Sequence, residues 1–600
     1  MPGLSIISGM NAQLMIHRYG IRPLTAKALM LCLSLMATLA YGADEKPVLT
    51  LPEDLPAGVE NNLRVLIDLP RYPCRPGAGQ KALIQRQVRD NGTQALQALG
   101  YYQSQVTQHW QAASEQTCFG MRLDVTHGTP TAIESFDVQI QGEASQDPAF
   151  KRLIDNARLA PGTRLRHDRY EKLKSALQQT LINNGYVEGD LTVHRLEVDR
   201  DRHTARIVMK VESGPRYRFG EVALKGDARI REWLLRAYLQ FSAGEPFSND
   251  RLLATQQAYL GSGYFSAVRL ERGEPDPRQH TVPISITFTP RNEWALLAGV
   301  GVSTDTGPRL RLGVENRRIN GAGHTARAET ELSSVRQGVG ASYQIPLSDP
   351  VNEKLDLHTT YQNEDTDSRE SETLSVGADH IVKLESGWVA TTSLEYLREI
   401  YNVADQVDQA DLIMPGFQLS RVKSDDPVYP TRGWRLGGKV RGASQAISST
   451  SFVQFDGWGK LILPVFRGRL LTRFEVGYTQ IDSIRDLPAS LRFFAGGDSS
   501  VRGFGYESLG PENDDGDVIG GRHLLIGSVE YDHPVSESWS VAVFSDAGNA
   551  FNDFNDYDMI RSAGFGVRWR SPLGPIRVDL ARGLEADSDW RLHLSMGPDL

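Results

Sequence analysis

The sequence predicts two kinds of structure in series: three α+β modules, each of β-α-α-β-β order, followed by a 16-stranded antiparallel transmembrane β-barrel. Helical periodicity recurs three times up to about residue 290 and then gives way to short alternating segments separated by turns. Glycine is also abundant, with 56 among 600 residues, which exceeds the usual share of about 7% and favours a β-architecture with many turns.

The N-terminus has the features of a secretory signal. Two basic residues precede an apolar run from Ala28 to Ala40, and the small residues Ala40 and Gly42 fit a cleavage site. The run is shorter than the roughly 20 residues that a membrane helix needs. We therefore expect residues 1–43 to be a cleaved signal peptide.

Two cysteines remain after the signal, Cys74 and Cys118. An even cysteine count in an exported chain suggests that they form a disulfide. Two unpaired buried thiols would also fit the sequence.

Charge and motif content exclude several classes of function. The net charge of −9 gives no basic surface, so nucleic acid is not expected as a partner. No nucleophile elbow, phosphate-binding loop or metal-ligand spacing is present in the sequence. We therefore expect a protein that is not an enzyme, with no catalytic residue, no metal and no cofactor.

The three modules are marked by Gly-Tyr pairs, each at the end of a helical segment. In the second copy a strand-like segment from Ala132 to Ile140 is followed by a helical segment that ends at Tyr186, and then by two more strand-like segments. Gly185 fits the left-handed position that ends a helix. Three unrelated modules would also show such elements. The expected boundaries of the modules are residues 44–129, 130–213 and 214–290.

Residues 291–600 are expected to form the barrel. Between Gly564 and Arg570 the residues Phe565, Val567 and Trp569 share one face, as a lipid-facing strand requires. A soluble β-sandwich shows the same alternation. The secretory signal, the charged residues on the polar face, and a length that allows sixteen strands at about 19 residues each favour a membrane barrel.

One long loop lies within this region, from Phe493 to Asp517. It is rich in glycine and acidic residues, and loops of this length in compact domains are usually functional or disordered. If residues 496–522 fold back into the barrel lumen, the guanidinium of Arg502 requires a carboxylate partner. Asp546 is the candidate, because strand alternation puts it on the lumen side.

A bidentate pair between Arg502 and Asp546 would fix the loop to the barrel wall. Gly503 would permit tight backbone geometry, and Phe504 would pack nearby. A surface turn with a solvated arginine is the alternative interpretation.

These features resemble the POTRA-barrel superfamily of outer-membrane assembly and secretion proteins. The loop motif of that superfamily matches Val501, Arg502, Gly503 and Phe504. Its strand motif, built on Phe, Asp and Gly, matches Phe544, Asp546 and Gly548, which are therefore the expected partners of the loop. Within the superfamily, three POTRA copies and a length near 600 look most like the translocation and assembly module subunits.

The resemblance implies an outer-membrane location, with the POTRA domains in the periplasm. It implies insertion of β-barrel proteins, autotransporters especially, into the outer membrane, in contact with outer-membrane lipid. The first POTRA domain would dock a TamB-like protein anchored in the inner membrane. The alternatives are the outer-membrane end of a phospholipid-transport bridge with that partner, or a two-partner-type secretion pore.

A closed barrel has no free edge, so helping a client strand requires a weak seam. The first strand, near Asn292 to Val302, and the last, near Trp590 to Gly597, would form it. Its opening would let a client strand add by β-augmentation. Glycine weakens strand pairing, although ordinary barrel taper also explains seam glycines. The expected seam residues are Gly299, Gly301, Leu592, Leu594, Met596 and Gly597.

Overall fold

The computed structural model describes residues 46–56, 58–113, 117–404, 406–571, 574–585 and 588–597. The signal peptide expected at residues 1–43 lies outside them. Within this part of the chain, no helix is both long and apolar enough to cross a membrane.

Three modules with the predicted β-α-α-β-β order come first. The first contains β1 (Val48–Thr50), α1 (Val59–Leu66), α2 (Ala78–Gln97), β2 (Gln105–Gln111) and β3 (Gly120–Thr126). The second contains β4 (Ala132–Gln141), α3 (Pro148–Asn156), α4 (His167–Asn183), β5 (Asp190–Asp199) and β6 (Thr204–Glu212). The third contains β7 (Arg218–Lys225), α5 (Glu232–Ala237), α6 (Asn249–Gly261), β8 (Phe265–Arg272) and β9 (Thr281–Pro290).

Each module has the same three-stranded sheet, with its last strand in the centre. The orders are β1-β3-β2, β4-β6-β5 and β7-β9-β8. The central strand pairs in parallel with the first strand and antiparallel with the second. The glycine of each Gly-Tyr pair has φ between 81° and 90°, and the tyrosine that follows is buried in the module core. The pairs therefore mark equivalent helix ends.

The first module also carries a disulfide. Cys74 and Cys118 are bonded, with a Cα–Cα distance of 5.2 Å. The bond links the segment between α1 and α2 to the segment before β3, and a cross-link over 44 residues reduces the entropy of the unfolded chain.

The rest of the described chain forms one nearly closed 16-stranded antiparallel sheet, as predicted, in which each strand pairs with the next. Its strands are β10 (Trp294–Ser303), β11 (Gly307–Asn316), β12 (Thr325–Leu332), β13 (Arg336–Pro346), β14 (Glu353–Asp365), β15 (Glu370–Lys383), β16 (Val389–Val403) and β17 (Gln406–Ser424). They continue with β18 (Gly433–Ala443), β19 (Phe452–Val465), β20 (Gly468–Gln480), β21 (His523–Pro534), β22 (Trp539–Phe551), β23 (Ile560–Ser571), β24 (Gly574–Gly583) and β25 (Trp590–Met596).

Side chains alternate between the two faces of this sheet. On β23 the exposed fractions of Phe565, Val567 and Trp569 are 53%, 41% and 38%, whereas Arg568 between them is 2% exposed. On β22 Ala542, Phe544 and Asp546 are buried, whereas the preceding residue of each, Val541, Val543 and Ser545, is exposed. The outward face is therefore apolar, and the inward face carries buried charges.

The third module contacts the turn between β11 and β12. The backbone N–H of Arg231 donates to the carbonyl oxygen of Gly321 over 2.8 Å, and Tyr264 Oη donates to the carbonyl oxygen of Gly323 over 2.5 Å. A Cβ at Gly323 would lie 2.5 Å from Leu234, so the turn approaches this module too closely for a side chain. These contacts place the module beside the first hairpin of the barrel.

Candidate functional site

The loop between β20 and β21 lies against the inward face of the sheet. Short backbone pairings join Phe493 to Gly521 and Ala495 to Leu509, which gives the loop a fixed neck. Val501 is fully buried and packs with Ala495, Leu509 and Ile526. The loop is therefore part of the packed interior of the barrel.

Arg502 forms a bidentate ion pair with Asp546. Its Nε donates to Oδ2 over 2.8 Å and its Nη2 donates to Oδ1 over 2.9 Å. The backbone N–H of Arg502 also donates to Oδ2, over 3.1 Å. The guanidinium stands 3.3 Å above the ring of Phe544, a cation–π contact. Both charged side chains are buried, so each requires the other.

The ion pair belongs to a larger cluster. Nη1 of Arg502 donates to Glu530 over 2.8 Å and to Asp579 over 3.1 Å. Arg568, which is almost fully buried, donates to the same two carboxylates. Burial alone would lower the pKa of Arg502, but the carboxylates around it hold that pKa above its ordinary value. Two guanidiniums thus face three carboxylates, and we call these five residues the Arg502 cluster.

The other motif residues hold the backbone around Arg502. Gly503 has φ +97°, and a Cβ there would lie 3.0 Å from the backbone of Arg582 and Gly583. Phe504 packs against the apolar group around Val501. Gly548 lies in the barrel wall, where a Cβ would lie 2.3 Å from the carbonyl oxygen of Leu525. Glycine therefore permits close pairing of β21 and β22.

A second anchor of the loop lies five residues after Arg502. Glu507 accepts hydrogen bonds from Arg369 Nε over 3.0 Å and Nη2 over 3.1 Å. Arg369 is also 3.3 Å from Glu364, which pairs with Arg336 over 2.8 Å. Glu507 has φ +54°, a conformation that non-glycine residues adopt rarely. The loop is thus tied to β13–β15 as well as to β21–β24.

The first and last barrel strands share no ladder of backbone hydrogen bonds among the described residues. They meet at the end of β10 that lies away from the third module, where the N–H of Thr304 donates to the carbonyl oxygen of Leu594 over 3.1 Å. Before this point, no described residue pairs with the backbone edge of β10. Its side chains Trp294, Leu296 and Val300 are 63%, 87% and 76% exposed.

The predicted seam residues fall on these two strands. Gly299 and Gly301 lie in β10 opposite Arg311 and Arg309 of β11, and a Cβ at either would meet nothing closer than 3.7 Å. Sterics therefore do not require glycine at these two positions. Leu592, Leu594 and Met596 pair with β24, and Gly597 follows them with its N–H donated to Pro575.

A carboxylate from the loop lies where the two strands meet. Asp498 accepts hydrogen bonds from Ser303 Oγ over 2.8 Å and from Thr304 Oγ1 over 2.6 Å, both at the end of β10. On β25, Nδ1 of His593 lies 2.7 Å from Asp498 Oδ1. Asp305, in the turn after β10, accepts the backbone N–H of Asp498 over 2.8 Å. We call these five residues the seam clasp.

The seam clasp contains the one group among the described residues that could hold a metal ion. Ligand atoms of Asp305, Asp498 and His593 lie within 4.8 Å of one another. However, Nε2 of His593 accepts the backbone N–H of Gly503 over 2.8 Å. The imidazole proton therefore lies on Nδ1, where it is donated to Asp498, and Nδ1 has no lone pair for a metal. The geometry fits a hydrogen-bond bridge instead.

The seam clasp lacks a permanent positive charge. Within the described chain, neither Asp305 nor Asp498 forms an ion pair with lysine or arginine. Burial, together with the neighbouring Asp498 carboxylate, raises the pKa of Asp305 to about 7. The negative charge of the two carboxylates is thus balanced by hydrogen-bond donors and not by a lysine or arginine of the described chain.

The sequence identified Arg502 and Asp546 but missed much of what surrounds them. Arg568 stands on the polar face of the Gly564–Arg570 segment, whose alternation indicates an inward position, and Asp579 and His593 are likewise buried polar residues of barrel strands. Which of these charges meet depends on the pairing register. The missed residues are Glu364, Arg369, Asp498, Glu507, Glu530, Arg568, Asp579 and His593.

Family models match almost all of the chain after the expected signal. A model described as the Omp85 superfamily domain matches residues 259–598. A model described as POTRA domain TamA domain 1 matches residues 55–127. The POTRA model described as surface antigen variable number repeat matches residues 136–214 and 217–291.

Curated relatives and a solved structure agree with these models. The outer membrane protein assembly factor BamA of Nitratidesulfovibrio vulgaris is 24% identical over 68% of this chain and 54% of its own length. BamA of Neisseria meningitidis serogroup B is 22% identical over 77% of this chain and 66% of its own length. The chain thus spans about half to two thirds of these relatives.

The fold can be compared directly with the crystal structure of BamA from Haemophilus ducreyi lacking POTRA domains 1–3. The TM-score is 0.64 at 18% identity, over 78% of this chain and 99% of that one. Together with the matched models, this likeness accounts for the POTRA modules and the nearly closed barrel. The chain belongs to the Omp85 superfamily, as an outer-membrane β-barrel protein with periplasmic POTRA domains.

Proposed function

We propose that this protein is a TamA-like subunit of a translocation and assembly module, which promotes insertion of β-barrel proteins such as autotransporters into the outer membrane. The observation that carries the proposal is the edge of β10, with which no described strand forms a ladder, beside a loop held inside the barrel. An unpaired strand edge presents free N–H and C=O groups, to which a client strand can add.

The first module supports the choice within the superfamily. It matches the TamA-specific POTRA model over residues 55–127, and the chain has three POTRA modules. On this proposal, the first module binds a TamB-like protein anchored in the inner membrane. Outer-membrane lipid next to the seam is the medium into which the client moves.

The loop decides how the barrel works in this proposal. Val501 packs against the inward face and Arg502 is bonded to the wall, so the loop occupies part of the lumen. The edge of β10 is then the route for a client. An open two-partner-type pore would instead conduct ions when the purified protein is placed in planar bilayers.

A reversible lock on the seam tests the proposal. Thr304→Cys with Leu594→Cys puts a cysteine pair where the two strands already exchange a backbone hydrogen bond. Oxidation is expected to stop autotransporter assembly in cells, and reduction to restore it. The matched control is Leu310→Cys with Leu332→Cys, which face each other across β11 and β12, away from the seam.

Normal client assembly with the oxidised seam would contradict the proposal. If the lock instead changes the phospholipid composition of the outer membrane while clients assemble normally, the alternative role at the end of a phospholipid-transport bridge is supported.

A further inference from the structure

The seam clasp joins three parts of the chain that are distant in sequence. Asp498 lies in the loop, Thr304 at the end of the first barrel strand and His593 in the last. Both oxygens of the Asp498 carboxylate are used, Oδ2 by Ser303 and Oδ1 by Thr304 and His593. One side chain therefore contacts both sides of the seam.

Thr304 and His593 extend the hydrogen bonds of Asp498 to the last strand and back to the loop. Oγ1 of Thr304 accepts the N–H of Leu594 over 3.0 Å, so the hydroxyl that donates to Asp498 also binds the last strand. Nε2 of His593 accepts the N–H of Gly503, which returns the chain of hydrogen bonds to the loop. The side chains of Asp498 and His593 are 6% and 5% exposed, so water does not compete strongly for these bonds.

Two glycines before Asp498 let the loop backbone come close to the turn after β10. Gly496 and Gly497 have φ of +99° and +104°. A Cβ at Gly497 would lie 2.7 Å from the carboxylate of Asp305, so a side chain there would displace the turn after β10. The glycines bring Asp498 against the seam while Arg502 stays in its own cluster.

We propose that Asp498 is a positioning residue that holds the seam closed, and that its release from Thr304 and His593 is required before a client strand pairs with β10. The inference rests on the proposed function in one respect, which is that the seam is the site of client entry. It assigns control of that site to a single side chain of the loop.

The bonds of Asp498 are suited to release. They are hydrogen bonds to two hydroxyls and a neutral imidazole, each worth about 0.5–1.5 kcal/mol net, or up to about 3 with a charged partner. Rotation of one carboxylate breaks all three. The wall pairings and the Arg502 cluster do not have to change.

Hydrogen exchange of the full-length chain in lipid nanodiscs tests the closing role without any client. Asp498→Ala is expected to speed exchange of the Thr304 and Leu594 amides at least tenfold, and to leave the β13–β14 ladder unchanged. The matched control is Asp514→Ala, the same substitution at an exposed carboxylate of the same loop. Thermal unfolding of both variants should agree, which separates a local effect from general destabilisation.

A second variant keeps the test decisive if Asp498→Ala fails to fold. Thr304→Val removes the shared hydroxyl at similar volume and should speed exchange of the Leu594 amide without affecting β13–β14. Equal exchange at Leu594 in Asp514→Ala and in either seam variant would overturn the inference.

The two proposals fail separately. If the oxidised seam still assembles clients but Asp498→Ala speeds exchange, the proposed function falls and the closing role stands. If the lock blocks assembly but both seam variants exchange like the control, the proposed function stands and Asp498 does not control it.

Discussion

The Arg502 cluster and the seam clasp hold the same loop to the barrel, and they are built from different chemistry. In the Arg502 cluster, two guanidiniums are surrounded by three carboxylates, and the contacts are short, buried and charge-assisted. In the seam clasp, two carboxylates meet hydroxyls and a neutral imidazole, with no lysine or arginine paired to them among the described residues.

The difference separates a fixed attachment from a releasable one. Removing one partner of a buried ion pair leaves an uncompensated charge, at a cost of about 3–5 kcal/mol. Rotating Asp498 away from the seam leaves two hydroxyls and a neutral imidazole, none of which carries a net charge. On the proposed mechanism, the loop remains seated through Arg502 while the seam opens. The predictions that follow test this contrast, from effects on the whole barrel to effects on the seam alone.

The largest effect is expected for Arg502→Ala. It leaves Asp546 with no bonded guanidinium among the described residues, and Glu530 and Asp579 with Arg568 alone. The barrel should therefore lose about 3–5 kcal/mol of unfolding free energy. Denaturant unfolding of the reconstituted barrel measures this. The control is Arg561→Ala, an exposed arginine on β23. Equal stability of the two variants would contradict the cluster's role.

The same cluster explains why a simple charge exchange should fail. Combining Arg502→Glu with Asp546→Arg puts a new carboxylate beside Glu530 and Asp579, so the double variant should not recover the stability lost in the single ones.

An intermediate effect is expected for Glu507→Gln, at the second anchor. The substitution removes the charge that faces Arg369 but keeps one acceptor, so the cost should be about 1.5–3 kcal/mol. Limited proteolysis within the loop should become faster, while the seam amides keep their protection. Glu512→Gln, an exposed glutamate in the same loop, is the control. Unchanged proteolysis relative to that control would rule out the anchor.

The most local effect concerns pH at the seam clasp. The pKa of Asp305 is raised from 3.8 to about 7 by burial and by Asp498. Between these values the folded state binds more protons at Asp305 than the unfolded state does, so the stability of the clasp should fall as the pH rises from about 4 to 7. Asp305→Asn should flatten this dependence of seam-amide exchange.

The pH measurement must separate Asp305 from other titrating groups. The correction for intrinsic exchange rates is taken from β13–β14 amides of the same sample. If the exchange rate of the seam amides changes with pH by the same slope in Asp305→Asn and in the unchanged protein, a group other than Asp305 causes the pH effect.

Local sequence patterns were sufficient for the elements of this fold. Helical spacing and glycine at helix ends predicted three modules of β-α-α-β-β order. Alternation predicted barrel strands, and the length of residues 291–600 predicted that there are sixteen. Alternation also placed Asp546 on the inward side, and the lone arginine of the loop needed a carboxylate. These inferences depend on neighbours within a few residues, which a sequence displays directly.

The remaining contacts depend on register and on loop path. Arg369 and Glu507 are 138 residues apart, and Asp498 and His593 are 95 apart. A shift of one residue in strand pairing would move each inward side chain to the other face, and no short-range pattern reports it. Arg502 was therefore assigned one carboxylate where the structure has three.

The separation of the Arg502 contacts along the chain has a kinetic consequence. Arg502 is made before its partners, which follow 28, 44 and 77 residues later on three different strands. Contacts of long sequence separation form slowly, because the intervening chain must first be ordered. Seating of Arg502 thus cannot be completed until β24 has paired. A fully bonded Arg502 is accordingly a sign that β21, β22 and β24 are in place, so the residue that anchors the loop also reports a late step of barrel folding.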